Sequence, residues 1–337
     1  TPKNYKDYFD KRVHLIEVKN FGRTINPTKD IAAFFEVKKI AAAVQPDVIH
    51  LHSSKAGAIG RIAFDGKIPM FYTPHGYSFL MENYKPMKRK LFKLIESVCA
   101  KRNCTTISCS VGENQETLKF TRRAIYVNNG INMSELQEII DKTERVQHPF
   151  TVYTLGRICY QKNPTLFNAI AESLPDIKFV WIGDGELRGE LKSKNIEITG
   201  WADRATAIQY AVNADVFLLP SRWEGLPISL LESMYMKKVC VVSNVIGNKD
   251  VIHNNENGFV CSDTEKFVKA IRESQSGVER FTAQAYQDVL EKYNTKAMAK
   301  QYSEKYDEAI NVCVGGVQHE LIPYILTNDY DTAKAVA

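Results

Sequence analysis

Short apolar runs alternate with longer stretches of helical spacing along most of the chain. PDVIHLH, IPMFYTP and CTTISCS in the first part, and FTVYTLG, IKFVWIG, IEITG, DVFLLP and VCVVS in the second, fit buried strands. Between them AGAIGRIAF, the stretch from Met87 to Lys101, PTLFNAIAES, ATAIQYAVN and PISLLESMYM fit helices. Regular strand–helix alternation predicts an α/β protein whose parallel sheets are covered on both faces. There are two such series. They part near IYVNNGIN, residues 125–132, where Asn129-Gly130 is a turn signal. The expected domains are therefore residues 1–125 and 126–310, each doubly wound, with a tail at 311–337 that fits neither series.

Length agrees with this division. The chain has 337 residues, and single domains cluster at about 100–150. Its 44% hydrophobic and 25% charged residues are ordinary for a globular protein. No apolar run approaches the ~20 residues of a membrane span, and the opening TPKNYKDYFDKR has no apolar core of a secretory signal. The seven cysteines, at 99, 104, 109, 159, 240, 261 and 313, are odd in number and lack C-x2-C spacing. They read as reduced, mostly buried thiols of a cytoplasmic protein.

Charge is unevenly distributed. Residues 1–125 carry 22 Lys+Arg against 11 Asp+Glu, and residues 126–337 carry 22 against 28, so the net +5 divides into +11 and −6. A basic first part points to an anionic partner.

The candidate chemistry lies at strand ends, where ligands bind in open parallel sheets. After DVFLLP comes PSRWEGLPISLLE. Gly225 permits close backbone approach, and Pro227 suits a helix start. The helix N-terminus then favours a phosphate. Glu224 and Glu232 are placed to accept from the hydroxyls of two polyols, although two glutamates eight apart are a weak signal alone. After FTVYTL, Gly156 ends the strand and Arg157 and Lys162 follow in GRICYQKNP, a natural diphosphate clamp. DGELRGEL carries Gly183 and Gly185 at the spacing of a phosphate-approach loop, another weak signal taken alone.

In combination, GRICYQKNP, WIGDGE, ITGW, PSRWEGLPISLLESM and SNVIGNKDVI resemble the C-terminal half of the family 4 glycosyltransferases, in their bacterial surface-polysaccharide branch. HLHSSKAGAIGRIA and YTPHGYSF resemble the N-terminal half. The resemblance spans roughly residues 20–305. It implies the GT-B fold: two Rossmann-like domains facing across a cleft, with the nucleotide sugar mainly on the second and the acceptor mainly on the first. It implies that Arg157 and Lys162 hold the diphosphate, beside Gly156. Glu232 would hold the ribose and Glu224 the donor sugar, with backbone amides near Gly225, Leu226 and Pro227 touching sugar or phosphate. Thr199, Gly200 and Trp201 would line the base pocket, and His75 would meet the donor sugar near the reacting carbon. His52 and Lys55 are candidate acceptor contacts. The expected reaction is retaining transfer from a nucleotide sugar, a UDP-sugar in this branch, to a lipid-linked or polysaccharide acceptor. No cofactor and no metal are expected. The D-x-D at Asp329 and Asp331 falls in the unassigned tail. The family's opening strand and glycine-rich loop have no match, and KRVHLIEV reads as a later strand. A missing first βα unit is therefore expected.

The stretch ENYKPMKRKLFKLIESVCAKR, with cations from Lys85 to Arg102, reads as a basic amphipathic helix. Its apolar residues are expected in the core and its cations at an anionic membrane. Peripheral binding at the inner face of the plasma membrane follows. A nucleic-acid partner is not expected, because no recognition motif accompanies the charge. Two other function classes stay open at this stage: another GT-B enzyme such as a sugar-nucleotide epimerase, and a non-catalytic nucleotide-sugar-binding protein.

Overall fold

A computed structural model describes residues 9–22, 24–314 and 324–326, the segments 312–314 and 324–326 in backbone only. The candidate motif at Asp329 and Asp331 lies outside the described residues.

The first sheet has four parallel strands in sequential order: β2 (Ile49–His52), β3 (Met70–Thr73), β4 (Thr105–Ser108) and β5 (Ala124–Tyr126). A separate parallel pair joins β1 (His14–Ile16) to β12 (Tyr324–Leu326), so the tail without an assigned role supplies a strand. Four helices accompany these strands: α1 (Pro27–Val44), α2 (Ser54–Ala63), α3 (Pro86–Cys99) and α4 (Val111–Leu118). Their starts are set locally. Asn26 accepts from Lys29 N ahead of Pro27, and Ser110 accepts from Glu113 N at the start of α4.

The second sheet has six parallel strands: β6 (Thr151–Leu155), β7 (Lys178–Ile182), β8 (Ile196–Ile198), β9 (Val216–Leu219), β10 (Val239–Ser243) and β11 (Phe259–Cys261). Their spatial order is β11-β10-β9-β6-β7-β8, the doubly wound order of a dinucleotide-binding sheet. The order reverses between β6 and β9, which opens a crevice at their carboxyl ends. Helices α5 (Met133–Lys142), α6 (Pro164–Glu172), α7 (Arg204–Val212), α8 (Ile228–Tyr235), α9 (Thr264–Glu273) and α10 (Glu279–Lys292) accompany this sheet. Alternate strand residues feed two cores. Tyr153, Phe217 and Val242 enter one, and Val152, Trp181, Val216 and Val241 enter the other.

Helix α11 (Thr295–Val314) follows the second domain in sequence but packs on the first. Met298, Tyr302, Tyr306 and Ala309, on one helical face, lie against Phe71, Ile107 and Val127. The chain crosses between domains twice, and the crossings run side by side. Ile131 N donates to Tyr293 O at 3.0 Å, and Thr295 N donates to Ile131 O at 3.0 Å. A Cβ at Gly130 would lie 2.3 Å from the Asn294 backbone, so only glycine fits there.

Helix α3 reverses one expectation. Met87, Leu91, Leu94, Ile95 and Val98 were expected in the core, yet all are exposed, Met87 at 83% and Leu94 at 59%. The buried face instead carries Glu96 and Cys99. The cause is a buried charge: Arg61 of α2 donates to Glu96 at 2.6 Å, and Tyr72 OH donates to the same carboxylate at 2.9 Å. The pair holds the Phe92–Glu96–Cys99 face inward and leaves the Met87–Val98 apolar stripe outside, flanked by exposed Lys88, Lys90 and Lys101. The six described cysteines, Cys99, Cys104, Cys109, Cys159, Cys240 and Cys261, are free.

Candidate active site

The loop after β6 and the loop after β9 face each other across the crevice. Lys162, in a short turn ahead of α6, places Nζ 2.7 Å from Glu224 Oε1. Gln161 closes the same contact: its Nε2 donates to Trp223 O at 3.0 Å and to Glu224 Oε2 at 3.3 Å. Arg222 N donates to Gln161 O at 2.8 Å, which ties the two loops together. Glu224 is buried and Lys162 largely so.

Arg157 stands apart from this pair. It is exposed, and its Nε donates to Glu186 Oε2 at 3.0 Å at the rim of the neighbouring loop. Gly156 has φ +143°, and Gly183 beside it has φ +140°. A Cβ at Gly183 would lie 2.3 Å from Gly156 O, and one at Gly185 would lie 2.3 Å from Ile158 O. These two glycines let one loop pack on the other.

Glu232, five residues into α8, is buried at 4% exposure. Arg204 Nη1 donates to its Oε1 at 2.6 Å. At the end of β8, Thr199 Oγ1 accepts from Gly183 N at 3.2 Å and Gly200 adopts φ +76°. Trp201 is 75% exposed, a ring open to solvent beside that turn. Leu226 is a core residue, and its carbonyl accepts from Asn129 Nδ2 at 3.0 Å. Pro227 is the N-cap of α8 and has no N–H, so it brings no amide to a ligand.

His75 comes to the same place from the other domain. Its backbone adopts φ +52°, a conformation that persists only when the surroundings hold it. Glu113 supplies part of that hold: Gly76 N donates to its Oε1 at 2.6 Å and Cys109 N to its Oε2 at 2.8 Å. A Cβ at Gly225 would lie 3.2 Å from Gly76 N and 3.3 Å from His75 C, so the His75 loop rests on the Gly225 loop. Gly112 N and Gly247 N, one from each domain, both donate to Asp250 Oδ2 at 3.0 Å.

Three imidazoles lie side by side beneath this contact. His52 Nδ1 and His75 Nε2 are 2.9 Å apart with the rings stacked, and His50 lies 4.0 Å from His52 between ring centroids. His50 Nδ1 bonds Tyr306 OH of α11 at 2.5 Å, and its Nε2 bonds Thr73 Oγ1 at 2.8 Å. Burial drives the His75 pKa down to about 4 and, with the nearby His75, that of His50 to about 3. Burial, then His50 and His75, hold His52 well below the usual histidine range. All three are neutral at neutral pH, so His75 serves as an uncharged hydrogen-bonding group. Burial raises the Glu113 pKa against its two backbone donors.

The two acceptor candidates are already engaged. Lys55 Nζ lies 2.6 Å from Asp30 and donates to Gly22 O and Thr24 O. His52 is bonded to His75. Sequence reading missed Gln161, Arg204, Asp250 and Glu113. Only Glu113 had a local signal: Ser110-x-x-Glu113 is a capping box.

Comparison with known proteins follows the same division. Residues 149–275 match the profile described as glycosyl transferases group 1, and residues 1–135 match glycosyltransferase family 4. An Escherichia coli protein named UDP-Gal:alpha-D-GlcNAc-diphosphoundecaprenol alpha-1,3-galactosyltransferase is 31% identical over 300 residues, covering 79% of this chain and 76% of that protein. The Campylobacter jejuni N,N'-diacetylbacillosaminyl-diphospho-undecaprenol alpha-1,3-N-acetylgalactosaminyltransferase is 24% identical, covering 87% and 85%. Among solved structures, sucrose-phosphate synthase from Thermosynechococcus elongatus superposes with a TM-score of 0.74 at 15% identity, covering 88% of this chain and 83% of that one. Anabaena HepE, in complex with UDP and glucose, superposes with a TM-score of 0.67 at 16% identity, covering 84% and 83%. These likenesses show the fold, the two-domain GT-B architecture.

Proposed function

Because the chain belongs to the family 4 (group 1) glycosyltransferases, we propose that it transfers a sugar from a UDP-sugar to a polyprenyl-diphosphate-linked saccharide during bacterial surface-glycan synthesis. The observation that carries this is the meeting of Lys162, Glu224 and the His75 loop at the sheet's switch point. The names of the E. coli and C. jejuni relatives supply the acceptor class, and the former also names a UDP-sugar.

In this reading the diphosphate lies over the loop after β6. Lys162, Arg157 and the N-terminus of α8 stabilise the charge that develops as the glycosidic bond breaks. No metal is called for. Glu232 takes the ribose hydroxyls and Glu224 those of the sugar, with Lys162 orienting Glu224. Neutral His75 exchanges a hydrogen bond with the sugar from the other domain. Thr199, Gly200 and Trp201 border the base.

Transfer is retaining in this proposal. Glu224 is held by Lys162 and Gln161, so it is not poised as a nucleophile. The acceptor hydroxyl attacks the anomeric carbon on the face the diphosphate leaves, and its proton passes to a departing phosphate oxygen. Lys55 and His52 then act by supporting the acceptor side of the cleft.

The enzyme works at the membrane surface. No helix among the described residues is long and apolar enough to cross a bilayer. The outward stripe of α3, ringed by lysines, suits shallow insertion among anionic headgroups instead. The domain limits 1–125 and 126–310 belong to the same proposal, with α11 returning to the first domain.

Incubation with UDP-sugars and a short-chain polyprenyl-diphosphate GlcNAc acceptor tests the reading. The expected product keeps the donor's anomeric configuration by NMR. An inverted product sinks the front-face mechanism, and no transfer from any UDP-sugar sinks the donor assignment.

A further inference from the structure

We infer that Arg204 is a positioning residue for Glu232, and thereby sets how strongly the ribose is held. The inference rests on the reading of Glu232 as the ribose ligand. Arg204 opens α7, whose cap Asp203 accepts from Thr206 N at 2.8 Å. Its guanidinium bridges two other helices. Nη1 donates to Glu232 Oε1 of α8 at 2.6 Å, and Nε donates to Glu135 Oε1 of α5 at 2.9 Å.

The two carboxylates differ in what they need. Glu135 is half exposed, whereas the Glu232 side chain is 5% exposed. A carboxylate taken from water stays ionised only if a cation or several donors replace the water. Arg204 is such a cation, and its planar fork fixes direction as well as charge. Glu135 anchors one edge of the fork, so the other edge presents a single donor geometry to Glu232. A carboxylate has about four acceptor positions. Committing one oxygen to Arg204 fixes the plane in which the carboxylate would meet a diol. The chain also links this clamp to the base side, because Arg204 follows Trp201 by three residues. One short segment thus borders the base and orients the ribose carboxylate.

The test is calorimetric. UDP, GDP and their 2′-deoxy counterparts are titrated into the wild type, Arg204→Ala, Arg204→Lys, Glu135→Ala, Glu232→Ala and the Arg204→Ala/Glu232→Ala double variant, with thermal melts to establish folding. Arg204→Ala is expected to weaken the preferred nucleotide about tenfold or more, the size of a lost charged hydrogen bond. It should also lose most of the preference for ribose over 2′-deoxyribose. Arg204→Lys should fall between, Glu135→Ala should show a smaller loss in the same direction, and the double variant should be no worse than Glu232→Ala. Equal weakening of ribose and deoxyribose nucleotides, or wild-type binding by Arg204→Ala while Glu232→Ala loses it, overturns the positioning role alone. Wild-type binding by Glu232→Ala overturns the ribose assignment and the inference with it.

Discussion

Lys162 Nζ and Glu224 Oε1 lie 2.7 Å apart across the point where the strand order of the second sheet reverses. One follows β6 and the other β9, 62 residues on. Their contact joins the loops that border the crevice, and the pair is nearly dry. A buried ion pair is costly to break from one side, because the remaining charge is stranded.

Lys162→Met should therefore lower stability by about 3–5 kcal/mol and abolish turnover. Glu224→Gln leaves one acceptor oxygen, enough for Lys162 but not for Gln161 as well, so it should fold better than Lys162→Met and still lose most of kcat. Urea denaturation beside initial-rate assays separates the two. Equal stability of both variants with the wild type would contradict the burial argument.

The Arg61–Glu96 pair, with Tyr72 bonded to the same carboxylate, is the second such site. Glu96→Ala should destabilise by about 3–5 kcal/mol and loosen α3 without touching the cleft. Replacing Glu96 with Gln should recover part of the loss. Hydrogen exchange across residues 86–99 reads the loosening directly.

Stability should fall with acid. His50 and His75 have folded pKa values near 3 and 4, below the ordinary ~6.5 of the unfolded chain. Below pH 6.5 the unfolded chain binds protons that the native imidazoles refuse, so unfolding becomes easier as pH drops toward 4. Above pH 6.5 their contribution is complete and flat. His75→Gln should flatten part of the slope between pH 6.5 and 4; an unchanged slope would mean that these imidazoles are not the titrating groups.

Gly247 should not tolerate a side chain. Its φ is +84°, and a Cβ there would lie 2.2 Å from Gly225 O. Gly247→Ala must push back the loop that carries Glu224, at a cost of about 1–3 kcal/mol from strain alone. Donor KM should rise together with a lowered melting temperature. A variant that melts lower but keeps its KM would show that the loop can shift without disturbing the donor.

Membrane attachment should depend on both halves of α3. Leu91→Glu with Leu94→Glu should release the protein from vesicles of mixed neutral and anionic lipid at any salt concentration. Lys88→Glu with Lys90→Glu should release it mainly at low anionic content. Sedimentation that both pairs leave unchanged would exclude this helix as the contact.

Much of this arrangement is legible in sequence, because strand ends and their following loops are local. Gly156, Lys162, Glu224 and Glu232 are each named by a buried strand and the residues just after it. What escaped depends on tertiary placement. The apolar stripe of α3 has the spacing of a core face, and only the Arg61–Glu96 bond, 35 residues apart in sequence, shows that the face carrying Glu96 is the buried one. Lys55 resembles a free cation until Asp30 and two carbonyls are found around it. Tyr306 reaches His50 only because α11 crosses back over the first domain, a return that no local pattern announces. Arg204 escaped for the same reason, since its partners lie 28 and 69 residues away.

The central claim is that a sugar nucleotide is held at the switch point by Lys162, Glu224 and Glu232. Titrating a panel of UDP- and GDP-sugars into the wild type and into Lys162→Met, Glu224→Gln and Glu232→Ala measures it directly. The account predicts that one UDP-sugar binds, that Glu224→Gln loses selectivity for the sugar while still taking UDP, and that Lys162→Met and Glu232→Ala weaken UDP itself. Undiminished binding of that UDP-sugar by all three variants would contradict it.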